Sequence, residues 1–168
     1  MSATLNHQPT DRPGSGLMLQ PMQISDLDAV LDLEQRAYPF PWTRGNFIDS
    51  LAAGYLARLL RDAQGQLLGY FLAMPGVAEM HLLNIAVAPE HQGQGHARRM
   101  LDALSALARE QACEQIWLEV RRSNARAREV YARYGYVETG IRRAYYPAVA
   151  GQREDAVLMS LELGEVAR

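Results

Sequence analysis

The chain has no lysine: all seventeen of its basic residues are arginine. It has one cysteine, Cys113, which excludes an internal disulfide and agrees with a reducing compartment. Cys113 falls where a helical pattern gives way to a strand, a position that suits buried packing rather than nucleophilic chemistry. No apolar stretch approaches the roughly 18 to 20 residues that cross a bilayer, and the start of the chain lacks the basic-then-apolar layout of a signal peptide. A cytoplasmic protein is therefore expected. Strong charge of either sign is also missing, and a net charge of -2 argues against nucleic acid or a membrane as a bulk electrostatic partner. His81 and His91 lack a cysteine or acidic partner at metal-ligand spacing, so no metal is expected.

What is present is enough apolar residue for one core. Hydrophobic residues make up 48% of the 168, which fits a single domain. Residues 1–16 are polar and rich in Pro, Gly, Ser and Thr, and read as a disordered tail. The domain then spans 17–162, with 163–168 as a short C-terminal tail. Leu17, Leu19 and Met22 begin a first strand, and Ser25 with Asp28 resembles a capping box before a helix carrying Leu27, Val30, Leu31 and Leu33. Thr43 is placed to cap a second helix carrying Phe47, Ile48 and Leu51, ended by Gly54. Residues 55–60 and 67–73 read as a hairpin around a turn at 62–65, with 82–87 as the next strand. Ala97, Met100, Leu101, Leu104, Leu107 and Ala108 follow helical spacing. A strand at 116–120, a helix at 124–134 stopped by Gly135, and strands near 136–141 and 156–161 complete the pattern. The two last strands flank a loop over 142–153. The alternation makes the fold class α/β.

The most informative segment is Asn84-Ile85-Ala86-Val87-Ala88-Pro89-Glu90-His91-Gln92-Gly93-Gln94-Gly95-His96-Ala97, where a strand breaks into a Gly-rich turn that opens an amphipathic helix. Gly93 and Gly95 permit backbone conformations that a side chain forbids, and they let a ligand come close to the main chain. The unpaired amides of the helix start then face an anion. The spacing does not fit G-x-x-x-x-G-K-[ST]. Gln92-x-x-Gly95-x-Ala97 instead resembles the Q/R-x-x-G-x-G/A loop by which GNAT acetyltransferases hold the pyrophosphate of acetyl-CoA. A second stretch, Trp117-Leu118-Glu119-Val120-Arg121-Arg122-Ser123-Asn124, followed by Tyr131 and Tyr134-Gly135-Tyr136, is similar to the rest of a GNAT site. With Phe40-Pro41-Trp42 and Arg142-Arg143-x-Tyr145-Tyr146-Pro147, the chain resembles the RimI-type branch, bacterial acetyltransferases of ribosomal-protein N-terminal alanine.

The resemblance implies a single GNAT domain with a mixed, mostly antiparallel central sheet, splayed to admit acetyl-CoA and flanked by helices. It implies direct acetyl transfer in a ternary complex to a protein N-terminal α-amine, first of all the alanine of the eighteenth small-subunit ribosomal protein. Glu119 would be the base, and Tyr131 the acid that protonates the departing thiolate. The plain alternatives are a strand carboxylate paired with an arginine, and a helix aromatic packed on the sheet. Acetyl-CoA would be held by Ile85, Ala86, Val87, Gln92, Gly93, Gln94, Gly95, His96, Ala97 and Asn124. Of these, His96 either reaches a phosphate or faces solvent, and Asn124 equally suits a helix cap. Phe40, Trp42, Tyr145 and Tyr146 would wall the acceptor groove, while Glu154 and Asp155 either attract a basic peptide or are a solvated strand start. Eleven of the arginines lie between Arg98 and Arg153, where they bind a phosphate-rich cofactor or form a solvated face. The absence of lysine reflects coding bias or protection from self-acetylation. Two other functions remain open: acetylation of a small amine such as a polyamine or aminoglycoside, and a non-catalytic acyl-CoA-binding module.

Overall fold

A computed structural model describes residues 16–164, so the expected tails lie outside the described residues except for Gly16, Leu163 and Gly164. The described elements are β1 (Met18–Pro21), α1 (Leu27–Ala37), α2 (Arg44–Ala52), β2 (Leu56–Arg61), β3 (Leu67–Pro75), β4 (Glu79–Val87), α3 (His96–Glu110), β5 (Gln115–Arg121), α4 (Ala125–Tyr134), β6 (Val137–Pro147) and β7 (Arg153–Glu162). The strands form one sheet in the order β1-β2-β3-β4-β5-β7-β6. Every neighbouring pair is antiparallel except β4 with β5. That parallel pair is joined through α3, as parallel strands need a crossover.

Each face of the sheet has its own core. Met100, Leu101, Leu104 and Ala108 of α3 pack with Phe71, Leu82, Ile85 and Leu118 on one face. Leu27, Val30 and Leu33 of α1 and Phe47 of α2 pack with Leu59, Tyr70 and Leu72 on the other. Alternation along β3 breaks at Leu68, an extra residue between the pairs Leu60–Gly69 and Arg61–Leu67. The bulge turns Gly69 toward α3, where a Cβ would lie 2.6 Å from the Ala86 carbonyl oxygen and 2.9 Å from Met100 Cε. Only glycine lets α3 approach the sheet this closely.

Three expectations shift. The capping box forms between Gln23 and Asp26 rather than Ser25 and Asp28, because a 3₁₀ turn at Ile24–Asp26 precedes α1. Thr43 caps α2 as expected, accepting from the Asn46 amide. The 142–153 loop is strand as far as Pro147: Arg142 pairs with Ala156 and Tyr146 with Glu154, leaving Arg143, Ala144 and Tyr145 opposite Asp155 alone. This wide bulge holds Ala144 at φ 48, stabilised by its amide donating to Asp155 and by Arg153 donating to the Ala144 and Tyr145 carbonyls. The core also runs past 162, since Leu163 is buried and its amide donates to the Glu114 carbonyl.

Candidate active site

The site begins where β4 leaves β5. Their parallel register covers only Glu79–Leu82 against Gln115–Leu118. Just beyond, Leu83 is an extra residue in β4, between the pairs Leu72–Asn84 and Ala73–Leu82 with β3. A bulge bends its strand and ends pairing on one side, so β4 follows β3 while β5 follows β7, and a cleft opens between them. On the cleft side, the Ile85 carbonyl accepts from the Tyr38 hydroxyl and the Val87 carbonyl from Gln92 Nε2. In a strand, the amide of a residue points the same way as its carbonyl, so the Ile85 and Val87 amides also face the cleft.

The wider part of the cleft is a groove of about 600 Å³ lined by Ile85, Ala86, Val87, Gln92, Gly93, Gly95, His96, Ala97, Asn124 and Tyr131, among others. Nine of the ten residues expected to hold the cofactor are thus together, and Gln94 alone is not part of the lining. Gly93 and Gly95 have φ of 75° and 85°, the left-handed region that suits glycine, and a Cβ on either would meet no protein atom within 4 Å. The constraint at this loop is backbone shape and room beside it. Gly95 is the N-cap of α3 and has no side chain to bond the first-turn amides, which leaves them for an anionic ligand. His96 is half-buried in the groove, edge-to-face with His91 at 6.4 Å, and burial lowers its pKa. The ring thus lines the groove while keeping part of its surface in solvent. Arg98, Arg126 and Arg133 line the same groove.

A second cavity, about 240 Å³, meets the groove at Tyr38, Ile85, Asn124, Ala127 and Tyr131. Glu119, Phe40, Trp42 and Tyr146 line it. The Glu119 side chain is 6% exposed, and its Oε2 is buried without a hydrogen-bond partner among the described residues. Its Oε1 lies 3.5 Å from His81 Nε2 and 3.6 Å from Arg142 Nη1. Burial, then Arg142, pulls the His81 pKa down to about 4, so the ring is neutral at pH 7 and its approach to Glu119 is a polar contact. His81 also stacks on Trp117 with ring centroids 3.6 Å apart. Tyr145 lines neither cavity; the bulge in β6 brings its hydroxyl to Glu119, and burial followed by that contact raises its pKa. Tyr131 is buried and tilted against Tyr136 at 5.7 Å, and burial raises its pKa, keeping it protonated at neutral pH. Asn124 does cap α4, accepting from the Ala127 amide, and also lines both cavities.

Sequence reasoning missed the layer behind this wall. Glu34 of α1 is 1% exposed and accepts from the Tyr70 hydroxyl, Asn84 Nδ2 and the Trp42 amide. The signal was available: Glu34 lies seven residues after Leu27, on the apolar stripe of α1 rather than its polar face. Glu154 and Asp155 are not free to attract a basic peptide. Glu154 accepts from Arg121 and the Ser123 amide, and Asp155 from Arg122 and the Ala144 amide. Among the described residues, no group of three or more His, Cys, Asp or Glu side chains is arranged to hold a metal, and no helix is long and apolar enough to cross a membrane.

Residues 27–136 match the acetyltransferase (GNAT) family, whose members use acetyl-CoA. The chain is 34% identical over 146 residues to the "[ribosomal protein bS18]-alanine N-acetyltransferase" of Haemophilus ducreyi, covering 87% of this chain and all of that protein. It is 37% identical over 142 residues to the protein of the same name from Escherichia coli K12, covering 84% of this chain and 95% of that one. The crystal structure of the ribosomal-protein-S18-alanine N-acetyltransferase from Escherichia coli superposes with a TM-score of 0.82 at 35% identity, covering 90% of this chain and 97% of that chain. The overall fold and about a third of the aligned sequence are thus shared with these enzymes, and the chain belongs to the GNAT family of acetyltransferases.

Proposed function

We propose that this protein acetylates the N-terminal alanine of ribosomal protein bS18, transferring the acetyl group directly from acetyl-CoA in a ternary complex in the cytoplasm. The observation that carries this reading is the meeting of the two cavities at Tyr131, with the unpartnered Glu119 Oε2 buried beside it. The near full-length likeness to enzymes named for that substrate supports the choice of acceptor. In this reading the first-turn amides of α3 and the Gly93–Gly95 backbone hold the pyrophosphate, with Arg98, Arg126 or Arg133 near its charge. The amides of Ile85 and Val87 meet the pantetheine arm, and Asn124 keeps the α4 side of the groove in place. Acetyl-CoA supplies an activated thioester carbonyl.

The α-amine binds in the smaller cavity between Phe40, Trp42 and Tyr146, and gives up its proton to Glu119, directly or through one water. With a free pKa of about 7.7 to 8.0, against about 10.4 for a lysine side chain, it is partly neutral before any help. The C–N bond forms, the C–S bond breaks, and the hydroxyl proton of Tyr131 goes to the departing sulfur. The test is a peptide beginning Ala-Arg that also contains lysine. A single acetyl group at its N-terminus, and none on the same peptide with a blocked N-terminus, is the expected result. Acetylation of the blocked peptide's lysine, or faster turnover of spermidine, would overturn it in favour of a small-amine or side-chain acceptor.

A further inference from the structure

The two walls of the smaller cavity come from distant parts of the chain. Phe40 and Trp42 lie on the α1–α2 loop, while Tyr146 and Pro147 end β6 on the far side of the cleft. Arg121, the last residue of β5, spans them. Its guanidinium carbon sits 4.6 Å from the Phe40 ring centroid and 4.5 Å from that of Tyr146. Its Nη1 donates to the Pro147 carbonyl at 2.7 Å and to Glu154 Oε1 at 2.9 Å. The Glu154 carboxylate also accepts from the Ser123 amide, so the guanidinium plane is fixed from β7 as well as from β6. This bonding lowers the Glu154 pKa. The Arg121 side chain is 18% exposed, and it lines the cavity beside Glu119.

We infer that Arg121 is a positioning residue for the acceptor: a latch that holds the Phe40 loop against Tyr146 and so fixes the width of the acceptor cavity. A planar cation suits the task because it presents one face to each ring while its edge hydrogen-bonds Pro147 and Glu154. A lysine ammonium can replace the charge but has no second face. The surroundings favour a latch over a charge aimed at substrate, since Glu154 already balances the guanidinium and two rings cover it. The latch faces the acceptor side alone, because Arg121 is absent from the lining of the larger groove. It acts on how the acceptor is held, leaving acetyl-CoA binding and the proton transfers to other residues.

The inference rests on the acceptor cavity proposed above, and two readouts keep the two ideas separate. In kinetics with the Ala-Arg peptide, Arg121→Lys raises the peptide KM about ten-fold, with kcat and the calorimetric acetyl-CoA affinity within about three-fold of the parent. Phe40→Leu, which leaves the β5–β7 packing untouched, has a similar effect, and the double variant falls well short of the product of the two effects because both remove the Arg121–Phe40 contact. Independently of any substrate, hydrogen exchange of the Phe40, Trp42 and Thr43 amides speeds up in Arg121→Lys while β4 is unchanged. Loop exchange equal to the parent, or fully additive effects of the two substitutions, would overturn the latch. If the parent protein leaves the peptide unmodified, the acceptor assignment fails while the exchange measurement still decides whether the loop is latched.

Discussion

The two sides of the cleft are built differently. The groove side is led by backbone: a bulged strand end, two glycines in left-handed conformation and the start of α3 without a side-chain cap, all within residues 83–97. The acceptor side is side chains from six separate places: α1, the α1–α2 loop, β4, β5, α4 with its cap, and the bulged end of β6. A diphosphate is the same in every acyl-CoA, so a local main-chain cradle suffices for it. An acceptor must be distinguished from other amines, which requires groups converging from several elements. The comparison can be broken or sharpened by perturbing each side in turn.

The largest effect belongs to the chemistry. Glu119→Gln keeps the shape of the buried side chain and removes its basicity, and turnover should fall by about ten- to ten-thousand-fold with acetyl-CoA affinity little changed. Full activity of this variant across pH 6 to 9 would remove Glu119 from the mechanism and revive a purely binding role for the domain. Next comes the cradle. Gly95→Asp adds a negative charge and a side chain at φ 85°, so calorimetry should show acetyl-CoA binding weakened by at least about ten-fold. An unchanged affinity in the folded variant would show that the α3 start is not where the cofactor's phosphates bind.

The third perturbation concerns the support shared by both sides. Gly69→Ala places a Cβ against the Ala86 carbonyl and Met100, and overpacking there should cost about 1 to 3 kcal/mol of stability, seen as a lower midpoint in urea. A midpoint equal to that of the parent would mean that α3 has room to move away from the sheet. The last effect is a pH dependence behind Glu119. Because the folded His81 pKa is about 4, against about 6.5 for an unfolded chain, the unfolded state binds more protons between those values. Its contribution is therefore complete above about pH 6.5 and is lost as pH falls toward 4. Thermal midpoints of His81→Gln should decline less steeply than those of the parent across that window. Parallel declines would show that His81 is not held neutral beside Arg142 and Glu119.

The same contrast explains what the sequence revealed. The glycine loop, the amphipathic α3 and the Thr43 cap are encoded by neighbours, so spacing alone located them. The family resemblance pointed to Glu119, Tyr131 and Asn124 as one site, and the three line the same cavity because β5 and α4 are consecutive. The β6 bulge was invisible: an alanine at positive φ carries no turn signature, and what holds it is Asp155 and Arg153 from the next strand. Arg121 stood in the stretch that carries the family resemblance but received no role, since its place between Phe40 and Tyr146 depends on elements distant in sequence. Glu34 was not singled out, because its partners Tyr70, Asn84 and the Trp42 amide come from β3, β4 and the α1–α2 loop. Side chains that depend on strand partners distant in sequence leave little local trace.

The central claim, that this cleft acetylates one ribosomal protein at its N-terminal alanine, is tested most directly by intact-mass measurement of bS18 from cells with and without the gene. The account predicts that bS18 from cells lacking the gene is lighter by one acetyl group, with the change at its N-terminus. An unaltered bS18 mass, with the acetyl group lost from another protein or from a small amine, would contradict it.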